Sequence, residues 1–125
     1  MVDAAYYHNY YLAHKDKHAK NSMLWAKNNP AKRKAIVLRT KEIIRKEFRA
    51  LVDSSKDIPC ADCGNKFPSV CMDFDHRDGK DKLINVSAMC GFPDDKIILE
   101  INKCDVVCAN CHRLRTHKRG YDRVN

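Results

Sequence analysis

Two patterns of apolar and polar positions divide this chain. From Ala4 to Lys27 there is no Pro or Gly, and Ala, Lys, Tyr and Leu predict a helix that Asn28, Asn29 and Pro30 stop. From Ala31 to about Ser55, Ile36, Val37, Thr40, Ile43, Ile44, Glu47, Phe48 and Leu51 follow a three-to-four repeat and are nearly all apolar. Lys32, Arg33, Arg39, Lys41, Arg45, Lys46 and Arg49 take the other faces, which predicts a second, amphipathic helix of roughly 37 Å. After Ile58 and Pro59 the pattern changes to short apolar runs between Cys, Asp and Gly. Val70 to Phe74 reads as a strand, Arg77 to Lys82 as a polar loop around Gly79, and Ser87 to Cys90 as one helical turn. Asp94 to Lys103 reads as a helix with acids in its first turn and Ile97, Ile98 and Ile101 buried. Asp105 to Val107 reads as a second strand, and Asn110 to about Lys118 as a terminal helix capped by Asn110 and ending near Gly120. The pattern predicts a helical arm over residues 1–56, a small α+β domain over 57–120 and a tail over 121–125.

Charge sharpens that division. Residues 1–56 hold 13 Lys and Arg against 5 Asp and Glu, whereas residues 57–125 hold 11 of each, so the whole net charge of +8 lies in the arm. A polyanion such as DNA is the partner that this arm would attract. The stretch Met1 to Lys17 carries tyrosines, histidines and charges in place of an apolar signal core, and no apolar run reaches the length of a membrane span. The expectation is a soluble, cytoplasmic protein with no membrane partner. In a reducing compartment, seven cysteines are ligands and buried thiols before they are disulfides.

The cysteine spacing carries the chemistry. Cys60-Ala-Asp-Cys63 and Cys108-Ala-Asn-Cys111 are two C-x-x-C pairs 44 residues apart, each able to give two thiolates to one tetrahedral zinc, with Gly64 supplying the tight turn after the first. A closed four-cysteine shell has no open coordination position, so its zinc would be structural. A core this small often depends on such a metal to fold. Cys71, Cys90 and Cys104 fall outside the shell and read as small apolar core residues. A redox dithiol would need a thioredoxin-like βαβ pattern that the chain lacks.

Between the pairs, Met72-Asp73-Phe74-Asp75-His76 ends a strand with an acid and an imidazole, and His112 directly follows the last cysteine. Cys60-x-x-Cys63, then Asp75-His76, then Cys108-x-x-Cys111-His112 resembles the zinc-containing branch of the HNH endonucleases, of the ββα-metal, treble-clef-like fold. The runs CMDFDHRDGK and EINKCDVVCANCHRLRTH are particularly similar to small HNH proteins of bacteriophages and prophages, and the resemblance covers about Pro59 to Lys118. It implies a hydrolase that nicks or cuts DNA, with His76 as general base and Asp75 and His112 holding a catalytic divalent metal, Mg²⁺, Mn²⁺ or Ni²⁺. For a phage-encoded protein it also implies the bacterial host cytoplasm and, as partners, terminase or packaging proteins. The family's middle asparagine falls on Lys103; Asn102, Asn110 or a backbone carbonyl are the alternatives for orienting His76. The chemistry is coherent on its own, since a neutral imidazole takes a proton from water near pH 7.

Around these residues, Arg113, Arg115, His117, Lys118 and Arg119 form a basic cluster on the terminal helix, and Arg39, Arg45, Lys46 and Arg49 a basic face on the arm, both suited to phosphate contacts. Strand alternation puts Asp73 on the side of Asp75, where a surface carboxylate is the plainer account. Tyr6, Tyr7, Tyr10 and Tyr11 can stack on bases, but with Leu12 and Trp25 they read better as packing against the second helix. The competing function is a non-catalytic zinc-finger module that binds nucleic acid, for which Asp75, His76 and His112 would have no use.

Overall fold

The alternation that reads as a strand from Val70 starts two residues later in the structure, a computed structural model that describes residues 2–122. Pro68 opens a 3₁₀ turn over Ser69–Cys71, which leaves Val70 87% exposed, and strand β1 then runs over Met72–His76. It pairs antiparallel with β2, Cys104–Cys108, in a register that sets Met72 opposite Cys108, Phe74 opposite Val106 and His76 opposite Cys104. Helix α4, Ala109–Asp122, continues directly from β2 and runs through Gly120. Tyr121 and Asp122 of the expected tail are therefore helical, residues 123–125 lie outside the described residues, and Asn110 sits inside the first turn, not at the cap. A 3₁₀ turn at Val86–Ala88 and helix α3, Asp94–Ile101, lie between the strands in sequence. On α3, Ile97 is buried as expected, but Ile98 is 44% exposed and Glu100 is buried at 1% exposure.

Two apolar clusters meet at Phe74. One joins Cys60, Met72, Val106, Val107 and Cys108. The other joins Val86, Met89, Ile97 and Cys104. Helix α1, Ala4–Asn28, starts where the Asp3 carboxylate accepts the Ala5 N–H at 3.4 Å, and α2 follows over Pro30–Ser55. The chain divides between Lys41 and Glu42, within α2, and not near residue 56. Phe48, Leu51 and Val52 explain the difference: they pack on the second cluster and make the end of α2 part of the domain. Upstream, Ile36, Val37, Ile43 and Ile44 are exposed, as are Tyr6, Tyr7, Tyr10, Tyr11, Leu12 and Trp25, so the aromatic residues of α1 do not form a core. Cys71 and Cys90 are exposed as well, and of the three cysteines outside the pairs only Cys104 is a core residue. Among the described residues no helix is long and apolar enough to cross a membrane.

Removal of residues 1–41 is expected to leave a cooperatively melting fragment within about 1 kcal/mol of the full chain, because it strips no buried side chain among the described residues. Removal of residues 1–56 also deletes Phe48, Leu51 and Val52, side chains that cost about 2–5 kcal/mol each when truncated in cores, and should abolish the transition. Urea denaturation followed by circular dichroism compares the two fragments; equal stability would remove α2 from the domain.

Candidate functional site

Antiparallel pairing of β1 with β2 brings the two cysteine pairs together. The Ala61 N–H donates to the Val106 carbonyl at 2.9 Å, which lays the first pair along β2, and the second pair spans the end of β2 and the start of α4. The Sγ atoms of Cys60, Cys63, Cys108 and Cys111 lie within 4.8 Å of one another and can hold one metal ion. Zinc–sulfur bonds of 2.3 Å imply sulfur separations of about 3.8 Å, so a small contraction suffices. The turn is built for sulfur ligands. Gly64 adopts φ +74°, where a side chain would be strained, and its N–H donates to the Cys60 carbonyl at 2.9 Å. The Cys108 N–H donates to Cys60 Sγ at 3.2 Å and the Cys111 N–H to Cys108 Sγ at 3.5 Å. Burial raises the Cys60 thiol, but backbone hydrogen bonds at Cys63, Cys108 and Asp62 outweigh it and bring it down to about 6. Hydrogen bonding with Cys108 pushes Cys111 up to about 12. Four thiolates this close would need a dication, and zinc would satisfy that need.

At the other end of β1, alternation separates the faces. Asp73 and Asp75 point toward α4, while on the other face Met72 belongs to the first apolar cluster, Phe74 packs on both clusters and His76 reaches Glu100 of α3. Asp73 is not a free surface carboxylate, because its Oδ2 accepts the His112 Nδ1–H at 3.0 Å. That bond fixes the lone pair of His112 on Nε2, which lies 3.7 Å from Asp75 Oδ1. His76 is held by a partner that the sequence did not indicate: its Nε2 is 2.7 Å from Oε1 of buried Glu100. Burial raises the Glu100 carboxyl, but hydrogen bonds from Lys103, His76 and the Leu83 N–H hold it down to about 2. Glu100 is therefore held ionised and accepts the Nε2–H of His76, which makes Nδ1 the nitrogen that carries the lone pair in the neutral imidazole. Lys103, the position matched to the family's asparagine, instead clamps Glu100 Oε2 at 2.8 Å and the Asp81 carbonyl at 2.9 Å. Asn102 gives its carbonyl to Arg77.

Two arginines expected to meet nucleic acid are turned inward. Arg115 bonds Asp62 in the first cysteine turn, Asp75 on β1 and Asp105 on β2, and Arg119 forms a bidentate pair with Asp75 at 2.7 and 2.8 Å. Burial would raise the Asp75 carboxyl, but these arginines hold it below the usual carboxylate range. They use one lone pair of Asp75 Oδ1 and two of Oδ2, so Oδ1 retains one. Bonds of about 2.1 Å to one ion would span the 3.7 Å between His112 Nε2 and Asp75 Oδ1 only at an angle well above the right angle of neighbouring octahedral ligands, so Asp75 and His112 could share a divalent ion after a small approach. Among the described residues only the four cysteines form a cluster of three or more metal-ligating side chains. Arg113, His117 and Lys118 remain exposed, and Arg113 and His117 share a shallow depression with His112. Arg45, Lys46 and Arg49 are exposed on α2, as is Arg39 in the other unit; Lys46 pairs with Glu42 at 3.4 Å.

Asp75, His76 and His112 line one cavity of about 350 Å³, together with Arg77, Lys82 and Arg119. His76 and His112 also border a second cleft of about 620 Å³ on the side of α2. The pair of imidazoles stands where the two spaces meet.

Native mass spectrometry is expected to find one zinc per chain, and Cys108→Ser or excess chelator should remove it and with it the cooperative melting transition. Retention of the transition without metal would make the cysteines ordinary core residues. In ¹⁵N spectra, His76 is expected as the Nε2–H tautomer, and Glu100→Gln should convert it to a mixture, because a neutral amide accepts or donates equally well. An unchanged tautomer would show that Glu100 does not set it. No family model, curated protein or solved structure matches this chain, so its own residues carry the functional reading.

Proposed function

We propose that the protein is a metal-dependent endonuclease of the HNH, ββα-metal type that hydrolyses DNA phosphodiester bonds. The observation that carries the reading is the convergence of Asp75, His76 and His112 on one cavity from a strand end and a helix start. A non-catalytic module has no need of an imidazole whose free nitrogen is fixed by a buried carboxylate.

His76 acts at Nδ1, taking the proton of the attacking water while Glu100 holds Nε2–H and stabilises the imidazolium that forms. The strength of that bond follows from its setting, since both partners are shielded from solvent and Glu100 stays ionised. Asp75 and His112 would hold the divalent ion, which when bound supplies Lewis-acid stabilisation of the departing 3′ oxygen. Asp73 keeps His112 in the tautomer that offers Nε2. Arg119 and the exposed Lys82 stand on the same cavity wall and attract the phosphate. Arg115, committed to three carboxylates, braces the site instead. Nucleic acid is retained by the exposed cations of α2 and α4 and by the positive charge of residues 1–41, independently of sequence and with steep salt dependence.

Plasmid cleavage with added Mg²⁺, Mn²⁺ or Ni²⁺ tests the proposal. The wild type is expected to nick or linearise the plasmid, and His76→Ala to lose about 10²- to 10⁴-fold in rate while keeping its zinc and a cooperative, if lower, melting transition. No cleavage with any metal, or equal cleavage by the variant, would leave a zinc-bound nucleic-acid module.

A further inference from the structure

The two spaces beside the imidazoles differ in chemistry. The smaller is mostly polar: beside Phe74, which it shares with the larger, its wall of Asp75, Arg77, Gly79, Lys82 and Arg119 suits a sugar-phosphate better than a base. The larger has an apolar floor of Phe48, Val52, Phe74 and Val86, a cationic rim of Arg45, Arg49 and Lys56, and Asn85 and Ser87 at one side. Lys56 Nζ lies 5.2 Å from the centre of the Phe74 ring, so the rim and floor are in contact. Its end wall is His76, His112 and Asp73.

A volume of about 620 Å³ exceeds what a phosphate occupies and falls in the ordinary range for sites that enclose a small organic group, about 300–1,000 Å³. The rim attracts phosphate, the floor offers π and aliphatic surface, and Asn85 and Ser87 supply donors and acceptors. That combination matches a nucleotide. In an intact duplex the bases are stacked and paired, and only phosphates and groove edges reach a protein surface. We infer that the α2-side cleft takes one unpaired nucleotide adjoining the phosphate at the imidazoles, so the favoured substrate is single-stranded or locally unpaired DNA. This inference rests on the nuclease reading and narrows its substrate class.

Binding tests it without cleavage. Full-length, zinc-loaded wild-type protein, without added Mg²⁺, Mn²⁺ or Ni²⁺, is titrated with a perfect duplex, the same duplex carrying a one-nucleotide bulge of 2-aminopurine, and the single strand. The bulged and single-stranded forms are expected to bind at least ten-fold more tightly than the perfect duplex, with at least a two-fold change in 2-aminopurine emission. Ser87→Trp, placed on an exposed turn, fills the cleft and should erase both effects. Arg49→Glu, on the exposed face of α2, gives a second variant that should weaken the bulged form at least five-fold more than the perfect duplex. Equal affinity for the bulged and perfect duplexes, or a preference that survives both substitutions, would overturn the inference. Because binding is read without the added divalent metal, failure here leaves the plasmid assay standing, and capture of the base without cleavage there would identify a binding module.

Discussion

The convergence of four sulfur atoms from segments 44 residues apart is the constraint on which the rest of the domain depends. A two-stranded sheet is marginal in water, and the buried apolar residues around this one form only two small clusters. The sulfur shell acts at the junction that matters. Cys108 ends β2 and Cys111 lies in the first turn of α4, so an ion there would fix the angle between strand and helix. That angle in turn sets the Asp73 to His112 bond and the 3.7 Å approach of His112 to Asp75. Structural zinc sites of this kind contribute about 10–16 kcal/mol, which exceeds the net stability that a core of this size can supply. The opposing shifts of Cys60 and Cys111 express the same dependence, because without a cation the ionisation of one thiol suppresses that of its neighbours.

A second layer of constraint is electrostatic. Asp62, Asp75 and Asp105 come from the first cysteine turn and the two strands, and would repel one another if Arg115 did not bind all three. The guanidinium fork suits this role, since its several N–H groups diverge in one plane where an ammonium would present a single point charge. Arg119 adds a second cation to Asp75. The result is a carboxylate that is buried yet fully ionised, with one oxygen lone pair remaining beside His112. Glu100 follows the same logic on the opposite face, where Lys103, His76 and the Leu83 N–H together offset its burial. Each imidazole is thus paired with an acid that fixes its tautomer, Asp73 for His112 and Glu100 for His76, and the two free nitrogens are Nε2 and Nδ1 respectively.

Much of this was legible in the sequence, and the exceptions share a cause. Composition, helix breakers and periodicity together located the four helices and two strands found among the described residues, because these signals are local. The cysteine pairs were legible because zinc knuckles are local in spacing, and His76, Asp75 and His112 because they adjoin strand and cysteine motifs. Glu100 was not legible: on an amphipathic helix it reads as a polar-face residue, and its burial follows only from how α3 meets the end of β1 24 residues earlier. The inward turn of Arg115 and Arg119 was hidden for the same reason, since a run of basic residues on a terminal helix looks alike whether it faces solvent or three aspartates. The arm boundary was misplaced because the stripe on α2 continues unbroken past the point where the domain begins to cover it. Periodicity records which residues share a face, and only tertiary contacts decide where that face is buried.

The position of that boundary changes the distribution of charge. Residues 1–41 hold 9 Lys and Arg against 2 Asp and Glu, while residues 42–125 hold 15 against 14. The domain is therefore nearly neutral, and four thiolates with one Zn²⁺ would make it slightly acidic. Under the proposed function, long-range attraction of a polyanion would come from residues 1–41, because a near-neutral domain supplies little net field. Within the domain, cations act by position: Arg45, Arg49 and Lys56 at one cavity, Arg77, Lys82 and Arg119 at the other. Under the proposed function, affinity and placement are thus assigned to different parts of the chain. Salt would weaken the first strongly through counterion release, while the second, formed by groups close to the phosphate and partly shielded from solvent, would be screened less.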